Sequence, residues 1–527
     1  MLSRLIHTVA VSFLLTTAVF FLFSVFFFKN HDWDMDAFLY IGSRLWHGEL
    51  FYLYDFETKL PPLQYLFSLP SALGGIGAWR LLTVVISSLL GFWSSHVFVR
   101  TLTVNDLRPF NFKQARLICF SFFLLLLYSL PGSESAQLEM TAASAAFISL
   151  ALLLRASARK SRIELFYSGL FLAIAACIRP NYVYILPVTY IYLFLSTPNN
   201  LRFHGWCESL SFVKNYLPSV VMVNLGFLIT ILVLFLPYLF VEGGVKALID
   251  GLNAIASYSD GVGTNKLFSQ QFSGRTLTFY LGLYLASTML FIYFLASTLK
   301  KYRVLSAYAF IAIVCILALN TSLLRNNYWH HNAIMFVPYA VPIFFLIFIS
   351  LFKDGLVRGS QKIKVVTRTV SYVLFFIILA APARQLLSYG FQVVKSRIEF
   401  NSAINERRID HKLLSFLRWR NQSFLVIDSP TYHTLLDERR IGDGHPLMLW
   451  TVLSGKRLGP ISNIDLYSEE VFSNPCLSLT RSGKEVIVFS DSYSFNTKLS
   501  ECLDAEGSGY KKINVSDLED YQIFIRP

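Results

Sequence analysis

Apolar runs long enough to cross a ~30 Å hydrocarbon core recur along the first three quarters of the chain. They fall near residues 79–99, 117–131, 138–154, 163–179, 182–197, 217–240, 276–299, 304–323, 333–352 and 369–390, after a first run that ends in Phe26, Phe27 and Phe28. Lipid cannot satisfy backbone donors and acceptors, so such runs must be helical. The pattern predicts a polytopic α-helical membrane protein with about eleven transmembrane helices. The first run is expected to be an uncleaved helix, because it closes on phenylalanines and not on a small-residue cleavage site.

Beyond about residue 391 the pattern changes. Charges are spread throughout, and short strand-like runs stand at 423–428, 485–490 and 521–525, separated by polar helical stretches. This predicts a small α/β domain over 391–527 behind a membrane domain over 1–390.

Composition agrees with the pattern. The chain is 54% hydrophobic and 15% charged, where soluble domains carry about 25% charged residues, and its mean hydropathy is +0.51. The net charge of +13 has a membrane explanation. With the N-terminus inside, the cytoplasmic loops up to residue 390 hold 19 Lys and Arg against 10 on the other side, the bias that orients membrane proteins. An odd number of helices then exports the tail. The outer face receives the segment 29–78, the turn "PGSESAQ", the loop 241–275 and "RNNYWHHN". No basic module interleaved with aromatics appears, so no nucleic-acid partner is expected. Cys119, Cys177, Cys207 and Cys315 are scattered; Cys476 and Cys502 share the tail, where a disulfide can form if the tail is exported.

The chemistry concentrates in "HDWDMDAFLYIGSRLWHGELFYLYDFETKLPPLQYL", residues 31–66. Asp32, Asp34 and Asp36 alternate just beyond the first apolar run. Acids at a first helical turn complement the helix dipole, which accounts for one of them. A cluster of three beside a bilayer is costly to desolvate and calls for a further reason. Helices are expected over 36–47 and 62–73, lying at the interface, with Gly48 breaking the first and Pro61 and Pro62 preceding the second.

This arrangement resembles the GT-C superfamily of membrane glycosyltransferases, the group of the protein O-mannosyltransferases and the lipid A 4-amino-arabinose transferase. The resemblance rests on a first helix followed by a long outer loop carrying Asp34 and Asp36, the run Phe38 to Gly42, Gly48, Tyr52, Asp55 and the proline pair. "ESAQLEMTAASAAFISLALLL" and "SGLFLAIAACIRPNYVYILPV" resemble later helices of the family. The likeness covers residues 1–200 at motif level and 201–390 by helical layout alone.

The resemblance implies transfer of a sugar from a polyprenyl-phosphate donor to a hydroxyl of a lipid or glycan acceptor. It places the reaction on the outer face of a bacterial inner membrane, with inversion. The phosphate already leaves well, so what the reaction lacks is a base for the acceptor hydroxyl, worth roughly 10²–10⁴-fold. The family's acidic position falls on Asp34, with Asp36 second and Asp32 third. Tyr40 and Asp55 join the expected substrate site as matched positions.

Arg179, at the expected outer end of a helix, reads either as a snorkelling anchor or as a fork for the donor phosphate. Lys59 and Arg325 are further cations for that phosphate. His330 and His331 read either as part of an aromatic belt or as ligands of sugar, phosphate or one divalent cation (Mg, Mn or Ca) shared with an acid. Glu139 stands at a helix entrance and is expected to line the cavity. The loop 241–275 reads either as a flap over a cavity or as a plain solvated loop. A transporter or flippase would need polar residues and broken helices near mid-membrane, and a polymerase or ligase of lipid-linked saccharides would centre on histidine or arginine.

Overall fold

The computed structural model describes residues 33–53, 59–102, 107–130, 136–196, 206–260, 280–288, 303–323, 330–352, 412–427, 475–490 and 496–527, apart from single positions within these ranges and a few in the first run. It divides into two compact units. The first holds residues 1–29, 80–234 and 263–391; the second holds 30–79, 235–262 and 392–527.

Five helices among the described residues are long and apolar enough to cross a membrane: Ile76–Val99 (α3), Phe112–Ser129 (α4), Leu138–Arg159 (α5), Tyr216–Leu239 and Asn332–Ile349. The protein is an integral membrane protein. Tyr216–Leu239 continues a longer helix, Trp206–Phe235 (α8), and Asn332–Ile349 spans a 3-10 turn, His330–Phe336, and the helix Val337–Phe352 (α11). The runs expected at 163–179 and 182–197 are shorter helices, Arg162–Ile178 (α6) and Ile185–Ser196 (α7), joined by the 3-10 turn Pro180–Tyr184. Pro180 has no backbone N–H to continue α6, which is why the helix stops there. The run expected at 304–323 is the helix Arg303–Leu323 (α10), while most of the expected first span, most of 276–299 and all of 369–390 lie outside the described residues.

In the first unit, α5 and α6 form an antiparallel hairpin. It is zipped at mid-length, where the Ser149 hydroxyl donates to the Ser168 carbonyl (2.8 Å) and the Ser168 hydroxyl donates to the Ser149 carbonyl (2.9 Å). Its ends are closed by two ion pairs, Glu139 with Arg179 and Arg155 with Glu164. Each helix thus has an acid in its first turn and a guanidinium at its far end, the order the helix dipole favours. The α5 span is 89% buried and Asn332–Ile349 94%, whereas Tyr216–Leu239 is only 17% buried, so the first two make up the core of this unit and α8 turns most of its apolar surface outward to lipid. Helix α6 meets α8 through two glycines. A Cβ on Gly169 would stand 2.0 Å from the Val223 carbonyl oxygen, and one on Gly226 2.0 Å from that of Phe166. Such small-residue contacts are how membrane helices approach closely.

In the second unit, Trp33–Leu45 (α1) packs against Pro62–Leu73 (α2). Both expected helices are present, the first starting three residues earlier than anticipated. Gly48, at φ +78°, takes the left-handed conformation just beyond the end of α1 that other residues resist. Within the loop expected over 241–275, Gly244–Asp260 is an amphipathic helix (α9), so the first half is not a plain loop, and 261–275 lies outside the described residues.

The three runs read as strands in the tail are strands, Phe424–Ile427 (β1), Val486–Ser490 (β2) and Tyr521–Ile525 (β4); Lys511–Ile513 (β3) was not anticipated. The sheet runs β1-β2-β4-β3, with β1 and β2 parallel and the other pairs antiparallel. Alternate residues fill two cores, Phe424, Val486, Val488 and Ile523 on one face and Leu425, Ile487, Phe489 and Phe524 on the other. A sheet buried on both faces explains why β1 and β2 read as continuous apolar runs. Cys476 and Cys502 form a disulfide between the helices Pro475–Arg481 and Asn496–Asp504.

The glycine crossing is open to test. Adding one methyl at Gly169 or Gly226 meets backbone, which cannot rotate away, and is expected to cost about 1–3 kcal/mol. The readout is a lowered Tm of the detergent-purified protein. Gly77→Ala, where a Cβ meets nothing within 4 Å, is the control that leaves the Tm in place.

Candidate functional site

The acidic segment is held by its neighbours in the second unit. Asp34 and Asp36 lie in the first turn of α1. Two positions apart on an α-helix is about 200° of rotation, so they occupy different faces. The stripe that begins at Asp34 continues one turn on to Phe38 and then to Gly42. It is the stripe that meets α2: a Cβ on Gly42 would lie 2.4 Å from the Phe67 carbonyl carbon, and the Phe38 and Phe67 rings are 5.4 Å apart. Lys59 brings its ammonium to 5.6 Å from the Phe38 ring centroid, so a cation reaches this stripe. The stripe that begins at Asp36 continues to Tyr40 and Arg44. Tyr40 is buried, Arg44 lies over its ring, and Arg44 is paired with Glu49. The side chains of Asp34 and Asp36 lie outside the described part of the structure, as do Asp32 and Asp55 entirely.

Gln64, which nothing in the sequence reading singled out, fixes the geometry. It is buried, its amide donates to the carbonyls of Ile41 (3.1 Å) and Glu49 (2.7 Å), and its carbonyl accepts from the Phe51 N–H (3.0 Å). One side chain thereby satisfies three backbone groups left over where α1 ends and the next turn begins. A glutamine in an apolar helix facing a glycine-broken loop was the available signal. Tyr52, at φ +69° and fully buried, donates its hydroxyl to the Lys59 carbonyl (2.5 Å). Its ring fills the space over Gly251 of α9, where a Cβ would come within 2.3 Å of it, and Tyr238 donates to the neighbouring Phe51 carbonyl (2.7 Å). Phe67 stacks on the buried Trp79 at 4.0 Å. Tyr65 of α2 has its phenol pushed up by burial, so it stays protonated at neutral pH.

In the first unit, Glu139 and Arg179, named separately from the sequence, are brought together. Glu139 is wholly buried in the first turn of α5 and pairs with Arg179, the residue that ends α6. A buried carboxylate is stable only with such a partner. The guanidinium is therefore not a lone cation waiting for phosphate but half of a pair, with its charge balanced by Glu139. Just beyond it, Tyr182 is buried and donates to the Met335 carbonyl (3.0 Å), which ties the turn after Arg179 to the turn His330–Phe336. Helix α5 packs on that same turn. His330 and His331 open it, though their side chains, like the whole of Arg325, lie outside the described part. Among the described residues no group of three or more His, Cys, Asp or Glu side chains converges as a metal site would require.

Comparison with solved structures gives this arrangement a relative. The chain is similar to the crystal structure of ArnT from Cupriavidus metallidurans bound to undecaprenyl phosphate, with 12% identity, a TM-score of 0.50, and coverage of 99% of this chain and 98% of that one. ArnT is the lipid A aminoarabinose transferase, a GT-C protein. This chain has the GT-C fold. The archaeal oligosaccharyltransferase AglB from Archaeoglobus fulgidus, in complex with an inhibitory peptide and a dolichol phosphate, is also similar, at 12% identity and a TM-score of 0.46, over 91% of this chain and 69% of that one. No family model and no curated protein matches the chain. The GT-C likeness runs almost end to end, so the tail after residue 391 falls within the matched length.

The ion pair makes a measurable prediction. Glu139→Gln or Arg179→Met alone strands a buried charge and is expected to cost about 3–5 kcal/mol. Glu139→Gln combined with Arg179→Met strands none and is expected to cost less than either single change. Chemical or thermal unfolding of the three variants checks this through a double-mutant cycle; additive losses would refute the coupling.

Proposed function

We propose that this protein is a GT-C glycosyltransferase that moves a sugar from a polyprenyl-phosphate donor to a hydroxyl of a lipid or glycan acceptor. The single observation that carries the reading is the near full-length likeness to a transferase structure bound to undecaprenyl phosphate. The acceptor oxygen attacks the anomeric carbon, the bond from that carbon to the phosphate oxygen breaks, and the polyprenyl phosphate leaves with the electron pair. The acceptor's proton passes to a carboxylate. Direct displacement inverts the anomeric centre.

Asp34 is the proposed base and Asp36 the alternative. Support for Asp34 comes from its position on the α1 stripe that runs to Phe38, where Lys59 lies over the ring. The leaving group gains negative charge as the bond breaks, and a nearby cation offsets that charge. Within the first unit, Glu139 and Arg179 are proposed as substrate-binding residues, as are His330 and His331 at the start of the His330–Phe336 turn. A divalent cation (Mg, Mn or Ca) stays an option for this chemistry and is not required by it.

We place the site on the extracytoplasmic face of a bacterial inner membrane. The charge count supports that orientation. So does the Cys476–Cys502 disulfide, since such bonds persist in oxidising compartments. The second compact unit also gathers the acidic segment, α9 and the tail, the stretches that this orientation puts outside.

The test is to incubate the purified protein with a panel of radiolabelled polyprenyl-phosphate sugars and an envelope lipid extract. Transfer of one label is expected. Asp34→Asn is expected to lower the rate roughly 10²–10⁴-fold with folding intact, and Asp36→Asn to have the smaller effect. If both variants keep full activity, neither carboxylate is the base.

A further inference from the structure

The end of the first unit away from Glu139 carries a cluster that the proposed transfer does not use. His96 near the end of α3, Arg100 just past it, Arg116 on α4 and Arg155 near the end of α5 come together there. Arg116 Nη1 lies 3.4 Å from His96 Nδ1, and its guanidinium sits 4.6 Å from the Phe92 ring centroid. The Arg100 guanidinium is 5.7 Å from the Phe112 ring centroid. All three arginines are close enough for their charges to act on the His96 ring. Arg155 is paired with Glu164 at 2.8 Å.

Glu164 is the acid that an ion pair places in this group among the described residues, so three guanidiniums face one carboxylate. That leaves an excess of two positive charges. In addition, Nε of both Arg116 and Arg155 is buried with no hydrogen-bond partner among the described residues. Arginines gathered at a membrane boundary repel one another, and an anion between them removes that cost.

Position identifies the anion's source. Arg155 is 16 residues along α5 from Glu139, about 24 Å at 1.5 Å per residue, close to the thickness of a hydrocarbon core. The cluster therefore lies at the opposite membrane boundary from Glu139, on the side the charge count makes cytoplasmic. Directly beneath it, α3 presents a row of exposed apolar side chains, Leu81, Val85, Leu89 and Phe92, at helical spacing, ending one turn before His96. A fork of arginines above a lipid-facing apolar row matches an amphiphile: phosphate oxygens above, acyl chains below.

We propose that His96, Arg100, Arg116 and Arg155 form a head-group site for a dianionic phospholipid of the cytoplasmic leaflet, with its acyl chains along the Leu81–Phe92 row. Basic pockets between membrane helices bind such head groups. This site is independent of the transfer reaction, and its readout is lipid retention.

The test uses the full chain in phosphatidylcholine nanodiscs, with cardiolipin or phosphatidylglycerol added and bound lipid counted by native mass spectrometry. Cardiolipin is expected to be retained in preference to phosphatidylglycerol. Arg100→Gln combined with Arg116→Gln is expected to weaken its retention roughly thirtyfold, while Arg100→Lys combined with Arg116→Lys keeps most of it. Arg100 is exposed, so Arg100→Gln alone, with roughly fivefold loss, carries the test if the double variant does not fold. Excess inorganic phosphate should fail to displace the lipid. Retention by the glutamine variants equal to that of the unchanged protein would overturn the proposal. So would full displacement by phosphate, which would mark a site for the free ion.

Discussion

A buried carboxylate sets the terms for the membrane part of this protein. Glu139 sits in the first turn of a deeply enclosed helix, with no exposure to water. An ionised group there is stable only if a cation is held against it, and the cation must come from a neighbour whose own geometry is rigid. Arg179 qualifies because α6 ends at that residue. Pro180 forbids another helical turn, so the chain leaves α6 where the guanidinium meets Glu139. The following turn is then anchored by Tyr182 on the Met335 carbonyl. Fixing one charge therefore fixes the end of a helix, the path of the next turn and the start of the segment before α11.

The acidic segment is built differently, by polar atoms satisfying backbone and not by charge neutralisation. Gln64 serves the carbonyls at the end of α1 and a backbone N–H of the turn beyond it, Gly42 lets α2 come close, and Tyr52 fills the gap that Gly251 leaves on α9. These contacts hold the α1–α2 pair as a rigid platform. A base must be held within hydrogen-bond reach of a bound hydroxyl, so rigidity beneath Asp34 and Asp36 matters more to the proposed chemistry than any single contact they make.

What could be read from the sequence divides along the range of the interactions. Apolar runs of membrane length located α3, α4, α5 and the spans near 217–240 and 333–352, because hydrocarbon imposes length and composition locally. Period-2 or continuous β-branched runs found β1, β2 and β4; β3, "KKI", carries two exposed lysines and gave no such signal. Glu139 and Arg179 were both recognisable as costly residues at helix ends, but their pairing was not, since 40 residues separate them and only the hairpin register joins them. Gln64 and the contact of Gly251 with Tyr52 were equally hidden, because each depends on a partner in another element. The loop read as flap or solvated loop turned out helical for the same reason: the apolar stripe of α9 is visible in the sequence, and what it packs against is not.

The two ends of the α5–α6 hairpin differ in a way that bears on orientation. At one end Glu139 and Arg179 cancel; at the other, Arg155 and Glu164 cancel but Arg100 and Arg116 remain beside them. Moving the neutral end across a bilayer is far cheaper than moving the end with two surplus cations. Arg159, Lys160 and Arg162 of the hairpin's own turn add to that surplus, and the direction agrees with the loop charge count made over the whole chain. The neutral end is also the end whose pair we propose to touch substrate: such a pair can orient a polar group through its N–H donors while adding little net charge.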